Sequence, residues 1–397
     1  MYFMSKYHTS FNKMFCFEGY IVCDISVEDK EVKVTLKRTK ETCICPCGER
    51  GCSIIETYSR IIRDMDLCGK RCFIFIETCH IKCSCGYYGM EKLDFLDKYA
   101  RYTERFVEYV SFLCKKMCLK DVAETVEINW KTAKRIDKEN LQKLVTSLKE
   151  ANPKRIGVDE IAYEKGHKYL TVVRDLDKGR VIWVKEGRKK ETLDEFFNEL
   201  GKRKCENISV AVLDMWEPYI SSIKENTNAD IVFDKFHVSK KINEALDSIR
   251  KREFAKAGED ERKLMKKKRF LILSRNKNLK PEDREKLNSL IQQNNELYIA
   301  YLMKEQALDV FEENNPIAGI ARLNKWFDNV ATAGIEEFKK VISTIKTYLY
   351  GIVNYFTHRV TNAASEGFNT KITVLKRRAY GFRDLEYFKL KILQSCG

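Results

Sequence analysis

Three carboxylates lie far apart along the chain in settings suited to phosphate chemistry. Asp159 lies in Arg155-Ile156-Gly157-Val158-Asp159-Glu160, Asp214 ends the run Ile208-Ser209-Val210-Ala211-Val212-Leu213-Asp214, and Glu366 lies in Thr361-Asn362-Ala363-Ala364-Ser365-Glu366-Gly367. The first two sit on or at the end of short apolar runs that read as buried strands. The third opens a helix-like stretch rich in Asn, Thr and Lys. Cutting or joining a phosphodiester needs a deprotonated oxygen nucleophile and a stabilised leaving oxygen, and two Mg2+ ions about 4 Å apart supply both. Hard cations take several carboxylate oxygens, and Mg2+ keeps water and substrate oxygens as its other ligands. The chain carries 58 acidic residues, so spacing alone does not select three of them.

Cysteine offers a second chemistry. Eleven of the fifteen cysteines (16, 23, 43, 45, 47, 52, 68, 72, 79, 83, 85) fall in the first 85 residues. Cys43-Ile44-Cys45-Pro46-Cys47-Gly48 and Cys79-His80-Ile81-Lys82-Cys83-Ser84-Cys85-Gly86 are two turns that each end in Cys-Gly, and the glycine lets a tight turn aim both sulfurs at one ion. Cys45, Cys47, Cys83 and Cys85 are the expected ligands of a closed, structural Zn2+ site. Only one residue separates the members of each pair, so Cys43/Cys47 and Cys79/Cys83 stay open as pairings. The other reading is a set of reduced structural cysteines.

The third candidate is a basic ridge. Phe106, Val110, Leu113 and Met117 recur at helical spacing. Lys120 to Val126 forms a short helix burying Val122 and Ala123, Glu127-Ile128-Asn129 a turn, and Trp130 to Lys138 another helix with Ala133 and Ile136 inward. Lys131, Lys134, Arg135 and Lys138 then fall at i, i+3, i+4 and i+7, as in a recognition helix entering the major groove of double-stranded DNA. The plainer reading is a solvated face. A net charge of +15 and a pI near 9.0 suit a polyanion partner or, more simply, a lysine-rich surface.

The elements that must position the acids follow in order. Ile156–Ala162, Tyr169–Asp175 and Arg180–Val184 read as strands joined by hairpin-sized links such as Asp177-Lys178-Gly179. A helix around Leu193–Leu200, the strand ending at Asp214, a helix at Pro218–Glu225, a strand at Ala229–Phe233 and a long helix from Lys235 come next. This is the order of an RNase H-like sheet, in which the first and fourth strands are neighbours and Asp159 lies beside Asp214. Asp234-x-x-His237 opens the long helix, which makes His237 either a core residue or a neighbour of the metal site touching the scissile phosphate. Residues 264–355 are helical in character, with Leu287, Leu290, Ile291, Leu297, Ile299 and Leu302 at helical intervals. Lys266-Lys267-Lys268-Arg269 is a solvated run or a DNA-backbone contact. In the last acidic stretch Thr361 or Asn362 could cap a helix. Phe368, Ile372 and Leu375 form its apolar stripe, and Glu366, Asn369, Thr370, Thr373 and Arg377 its other side. Glu366 is either a first-turn acid favoured by the helix dipole or a metal ligand, with Lys376, Arg377 and Arg378 meeting DNA.

Over nearly its whole length the chain resembles the transposases of the ISL-three insertion-sequence family, a DDE group. The resemblance is carried by Gly157-Val158-Asp159-Glu160, Lys168 to Glu191, Leu213-Asp214-Met215-Trp216-Glu217-Pro218-Tyr219, Phe233-Asp234-Lys235-Phe236-His237-Val238, Ala245 to Arg250, and Thr361-Asn362 through Glu366-Gly367 to Phe382. The Cys-x-Cys spacing departs from the family's usual knuckle. The resemblance implies that Asp159, Asp214 and Glu366 are the DDE triad, with Mg2+ or Mn2+ as cofactor. It also implies the inverted-repeat ends of a mobile element as substrate, target DNA as partner, and a homo-oligomeric synaptic complex.

The expected architecture is α+β and multidomain. A zinc-binding module spans 1–95, a helix-turn-helix region 96–150, the first part of an RNase H-like α/β catalytic core 151–250, a helical insertion 251–350, and the rest of the core with the last acid 351–397. Met1 to His8 has no apolar signal core and no stretch is apolar enough to span a bilayer, so a cytoplasmic, nucleoid-associated bacterial protein without membrane partners is expected. Three functions compete: an active transposase, a catalytically inactive transposase-derived DNA-binding regulator, and a nuclease that only hydrolyses. Retention of all three acids with Asp234 and His237 favours the first.

Overall fold

The structure, a computed structural model, describes residues 11–15, 17–39, 43–148, 151–164, 166–292, 294–362 and 364–396, without the side chains of 144, 146–148 and 364–366. Two units emerge: residues 1–144 with 377–383, and residues 145–376 with 384–397.

The first unit is built on a sheet of β1 (Tyr20–Val27), β2 (Glu31–Arg38), β3 (Ser53–Leu67), β4 (Lys70–Lys82) and β5 (Tyr88–Met90). The order is β1-β2-β4-β3, with β5 also on β4; β2 and β4 run parallel. Period-two alternation buries Val32, Val34 and Leu36 of β2 against Cys72, Ile74 and Ile76 of β4. β3 and β4 form a long hairpin in which Leu67 pairs with Lys70. Cys68 and Gly69 between them both have positive φ (51° and 75°), the backbone a two-residue hairpin turn needs.

Three helices follow: α1 (Glu104–Lys116), α2 (Leu119–Thr125) and α3 (Trp130–Leu148). Phe106, Val110, Cys114, Val122, Val126, Ala133 and Ile136 are their common core. Asn129 caps α3, its side chain accepting from Lys131 N–H (2.9 Å). The helix outruns the Trp130–Lys138 expected from sequence by ten residues, because Leu141 continues the buried face. The sheet is tied to α1 by buried Asp64, which accepts from Thr103 Oγ1 (2.7 Å) and Arg105 Nε (2.7 Å).

In the second unit β6 (Arg155–Glu164), β7 (Lys168–Asp175), β8 (Arg180–Glu186), β9 (Val210–Leu213) and β10 (Asp230–Phe233) form one mixed sheet in the order β10-β9-β6-β7-β8. β6, β7 and β8 pair antiparallel; β9 is parallel to both β6 and β10. Every residue of β9 is buried, as a central parallel strand covered on both faces requires. The helices α4 (Lys190–Leu200), α5 (Lys202–Cys205) and α6 (Glu217–Asn226) join β8 to β9 and β9 to β10, and α7 (Lys235–Lys256) leaves β10.

Seven helices come next, α8 (Glu259–Met265), α9 (Arg269–Leu273), α10 (Pro281–Ile291), α11 (Asn295–Val310), α12 (Pro316–Ala333), α13 (Glu336–Thr347) and α14 (Leu349–His358), then α15 (Ala364–Arg378) and α16 (Leu385–Cys396). The apolar faces of α8 to α14 share one core with the sheet and α7, which includes Leu246, Leu297, Trp326 and Phe338. Leu302, one of the apolar positions at helical spacing, is exposed. Lys266, Lys267 and Arg269 are also exposed, and Arg269 pairs with buried Asp247. α15 begins at Ala364, so neither Thr361 nor Asn362 immediately precedes it. No helix among the described residues is long and apolar enough to cross a membrane.

α14 lies on β10 by virtue of Gly351. A Cβ there would sit 2.4 Å from Phe233 Cδ2 and 3.2 Å from Ile231 O, while Asn354 Nδ2 donates to Ile231 O at 2.9 Å. Gly351→Ala is therefore expected to destabilise the unit by about 1–3 kcal/mol through overpacking, despite the roughly 1 kcal/mol helix preference for Ala. Gly367→Ala, where an added methyl meets nothing within 4 Å, should instead stabilise slightly. Calorimetric melting of the full chain distinguishes the two signs.

Candidate functional site

The parallel pairing of β6 with β9 sets Ile156 beside Ala211 and Gly157 beside Val212. Two residues further on lie Asp159, in the middle of β6, and Asp214, just past the end of β9. Both acids line a cleft of about 200 Å3 with Glu160, Trp216, His237, Lys240 and Lys241. Burial, then the nearby Asp214 carboxylate, pushes the Asp159 carboxyl above its ordinary range, although Glu160 N–H (2.8 Å) and Asn369 Nδ2 (3.2 Å) both donate to it. Burial likewise raises Glu160.

His237 lies in this cleft, not in the apolar core. Its Nε2 is 2.6 Å from Asp214 Oδ1. Burial works against the imidazolium, but contact with the Asp214 carboxylate outweighs it and the net shift is upward. Asp234, at 4% exposure, supports this placement by capping α7, its side chain accepting from Phe236 N–H (3.1 Å). Glu366 belongs to α15, but its side chain lies outside the described residues. What the structure does describe is Asn369, three residues later, bonded to Asp159.

Some residues of the cleft escaped sequence reasoning. Asn369 was read only as part of a polar face, and its partner lies 210 positions away. Lys240 and Lys241 fall three and four residues after His237, a helical spacing that could have flagged them. Arg188 stacks over Tyr169 (4.2 Å to the centroid) and Trp216 (5.0 Å) and accepts at its carbonyl from Trp216 Nε1 (3.1 Å). Gly157 is required by close approach: a Cβ would lie 2.8 Å from Asn362 Oδ1 and 2.9 Å from Leu176 Cδ2. Lys376 donates to Tyr163 O, so this cation is engaged by the backbone of β6.

In the first unit the sulfurs of Cys45, Cys47, Cys83 and Cys85 all lie within 4.8 Å of one another. Cys45 Sγ is 3.7 Å from Cys85 Sγ, and Cys47 Sγ is 3.9 Å from Cys83 Sγ. The two turns repeat one geometry. Cys45 N–H donates to Glu49 O (2.9 Å) and Gly48 N–H to Cys45 O (2.8 Å); Cys83 N–H donates to Tyr87 O (2.9 Å) and Gly86 N–H to Cys83 O (3.1 Å). Gly48 and Gly86 have φ of +96° and +89°. Backbone N–H donation from Cys85 helps draw the Cys83 thiol down to about 6, towards the thiolate a metal binds. Cys43 and Cys79 group instead with Glu91, whose carboxylate takes Cys79 N–H (2.8 Å) and pairs with Arg38.

On α3 Lys131 and Arg135 are exposed while Lys134 and Lys138 are half-buried. Arg135 pairs with Glu139 at 3.1 Å. Arg377 is exposed; Arg378 donates to Lys115 O (3.0 Å) and Lys116 O (3.2 Å) at the carboxyl end of α1.

Comparison with known proteins agrees with this layout. Residues 156–392 match a family described as Transposase, and residues 91–139 match the helix-turn-helix domain of transposase family ISL3. The chain is 31% identical over 369 residues to the transposase for insertion sequence element IS1001 of Bordetella parapertussis, covering 91% of each. It is 28% identical over 340 residues to the transposase for insertion sequence element IS1557 of Mycobacterium tuberculosis, covering 78% of this chain and 76% of that one. With the carboxylate cleft inside one matched segment and the three-helix array spanning the other, the chain belongs to the ISL3 family of insertion-sequence transposases.

Proposed function

We propose that this transposase binds the inverted-repeat ends of its element and carries out metal-dependent strand cleavage and strand transfer from an RNase H-like core interrupted by a helical insertion. The observation that carries the reading is the meeting of Asp159 and Asp214 on adjacent parallel strands. Two half-buried carboxylates side by side, with Asp159 held above its ordinary range by burial and by Asp214, are a poor pair for water alone and a good fit to hard divalent cations. Asp159 and Asp214, with Glu366 from α15, would hold Mg2+ or Mn2+. Ions bound there supply Lewis-acid activation of the attacking oxygen and charge neutralisation at the leaving oxygen.

The chain's own residues do the positioning. Asn369 orients Asp159, His237 orients Asp214 and lies within reach of the scissile phosphate, and Lys240 and Lys241 add positive charge along the cleft. DNA ends are read by α3 through Lys131, Lys134, Arg135 and Lys138. Arg377 is the cation of the Lys376–Arg378 run most open to a phosphate, its neighbours both being bonded to carbonyls. Cys45, Cys47, Cys83 and Cys85 would hold structural Zn2+. A tetrahedron with Zn–S bonds of about 2.3 Å has edges of about 3.8 Å, close to the sulfur separations here. We assign 1–95 to the zinc module, 96–150 to DNA recognition, 151–250 and 351–397 to the catalytic core, and 251–350 to the insertion, in a cytoplasmic protein acting as a homo-oligomeric synaptic complex.

In a cleavage and strand-transfer assay on DNA carrying the element ends, Asp214→Ala should lower turnover about a thousandfold or more, as loss of one member of a catalytic unit does. End binding measured by gel shift should remain. Loss of both would make Asp214 structural, and binding without chemistry in the wild type would favour a regulator. Elemental analysis should find one Zn per chain, lost in Cys83→Ser and kept in Cys43→Ser. Lys131→Ala should flatten the salt dependence of end binding by about 0.9 in log K per log salt, the release of one counterion.

A further inference from the structure

The sheet of the first unit ends in β3, and half of that edge is open. β3 pairs with β4 on one side. On the other, Arg63 N–H donates to Arg101 O (2.9 Å) and Arg63 O accepts from Thr103 N–H (3.0 Å), so the chain at 101–103 covers the edge from Arg63 onward. These two bonds also fix the phase. The backbone groups of Arg63 point outward, and the register with β4 is unbroken from Glu56 to Asp64, so those of Thr57, Ser59 and Ile61 point outward as well. No strand among the described residues pairs with them.

The stretch exposes several large apolar side chains. Ile55, Tyr58 and Ile61 are 49%, 40% and 58% exposed. Ser53–Leu67 contains neither Lys nor Pro, two residues that commonly block an open edge.

Read antiparallel to itself about Tyr58, the open stretch is self-complementary. Glu56 falls opposite Arg60, Thr57 opposite Ser59, and Ile55 opposite Ile61. Thr57 and Ser59 would exchange N–H···O bonds with Ser59 and Thr57 of a second copy, in the phase that the Arg63 bonds set. Moving the axis to Thr57 or Ser59 keeps a ladder but loses both Glu–Arg pairs. The bulge between Ile54 and Glu56 and the covered edge at Arg63 end the pairing at Ile55 and Ile61. Arg60 already donates to Ala100 O, but a guanidinium carries five N–H donors and keeps others for a carboxylate.

We propose that β3 pairs with β3 of a second copy of this chain across that axis, joining two sheets into one and making the protein a dimer. The occupant is the chain itself because the charges are complementary to their own symmetry mates. The proposal goes beyond the cleavage reading and its test uses neither DNA nor catalysis.

The test is the molar mass of the full-length, metal-loaded chain by analytical ultracentrifugation without DNA. The wild type should sediment as a dimer. Glu56→Arg puts cation opposite cation twice, and Arg60→Glu puts carboxylate opposite carboxylate twice. Each should weaken association about tenfold or more. Mixing the two variants should restore it, since each then faces the opposite charge at both positions; the double variant should also dimerise. A monomeric wild type, a variant mass unchanged from wild type, or no recovery on mixing would overturn the proposal. Recovery on mixing also shows that both variants are folded.

Discussion

The second unit depends on one pairing. β9 is four residues long and wholly buried, and it lies parallel to β6 in the register that makes Asp159 and Asp214 neighbours. Two carboxylates so placed repel each other, and burial raises the cost of keeping both charged. The fold tolerates the arrangement because the sheet around it is anchored elsewhere. β7 and β8 extend it on one side, β10 and α14 close the other, and one apolar core runs continuously into the helices that follow. Stability supplied by that core is what lets the cleft keep an arrangement unfavourable in the absence of ions.

α15 is held to this centre by contacts of several kinds. Gly157 leaves room for Asn362, Asn369 donates to Asp159, and Lys376 reaches Tyr163 O. The polar face of α15 is thereby presented to the carboxylates while Ile372 and Leu375, at 2% and 5% exposure, fix the helix on its other side. Asp234 and His237 do the same for α7, one as its cap and the other as the partner of Asp214. α7 contributes His237, Lys240 and Lys241 to the cleft and Val238, Ile242 and Leu246 to the core, so this side of the site is assembled by the same packing that stabilises the unit.

The first unit solves a different problem. Its turns before β3 and after β4 are short, and a hairpin alone would leave them loosely held. Repetition of one hydrogen-bonded geometry at Cys45–Glu49 and Cys83–Tyr87 brings four sulfurs together at the end of the sheet. Cys43 and Cys79 lie apart from that group, beside the buried carboxylate of Glu91 that pairs with Arg38. Spacing in the sequence left several pairings open, since sulfur direction depends on which way each strand faces.

Much was legible beforehand because it rests on local periodicity. The unbroken apolar run of β9, the helical spacing in α1 and α3 and the Cys-Gly turns are properties of a few consecutive residues, and the matched transposase and helix-turn-helix families agree with the resemblance they carried. What local pattern cannot carry is partnership across the chain. That Asn369 would bond Asp159, that His237 would rest on Asp214, that Lys376 and Arg378 would be bonded to carbonyls, and that α3 would run to Leu148 were decided by tertiary packing. The physical reason is that a side chain's residue type sets what it can bond, while the fold alone sets which of the many groups able to bond it comes within reach.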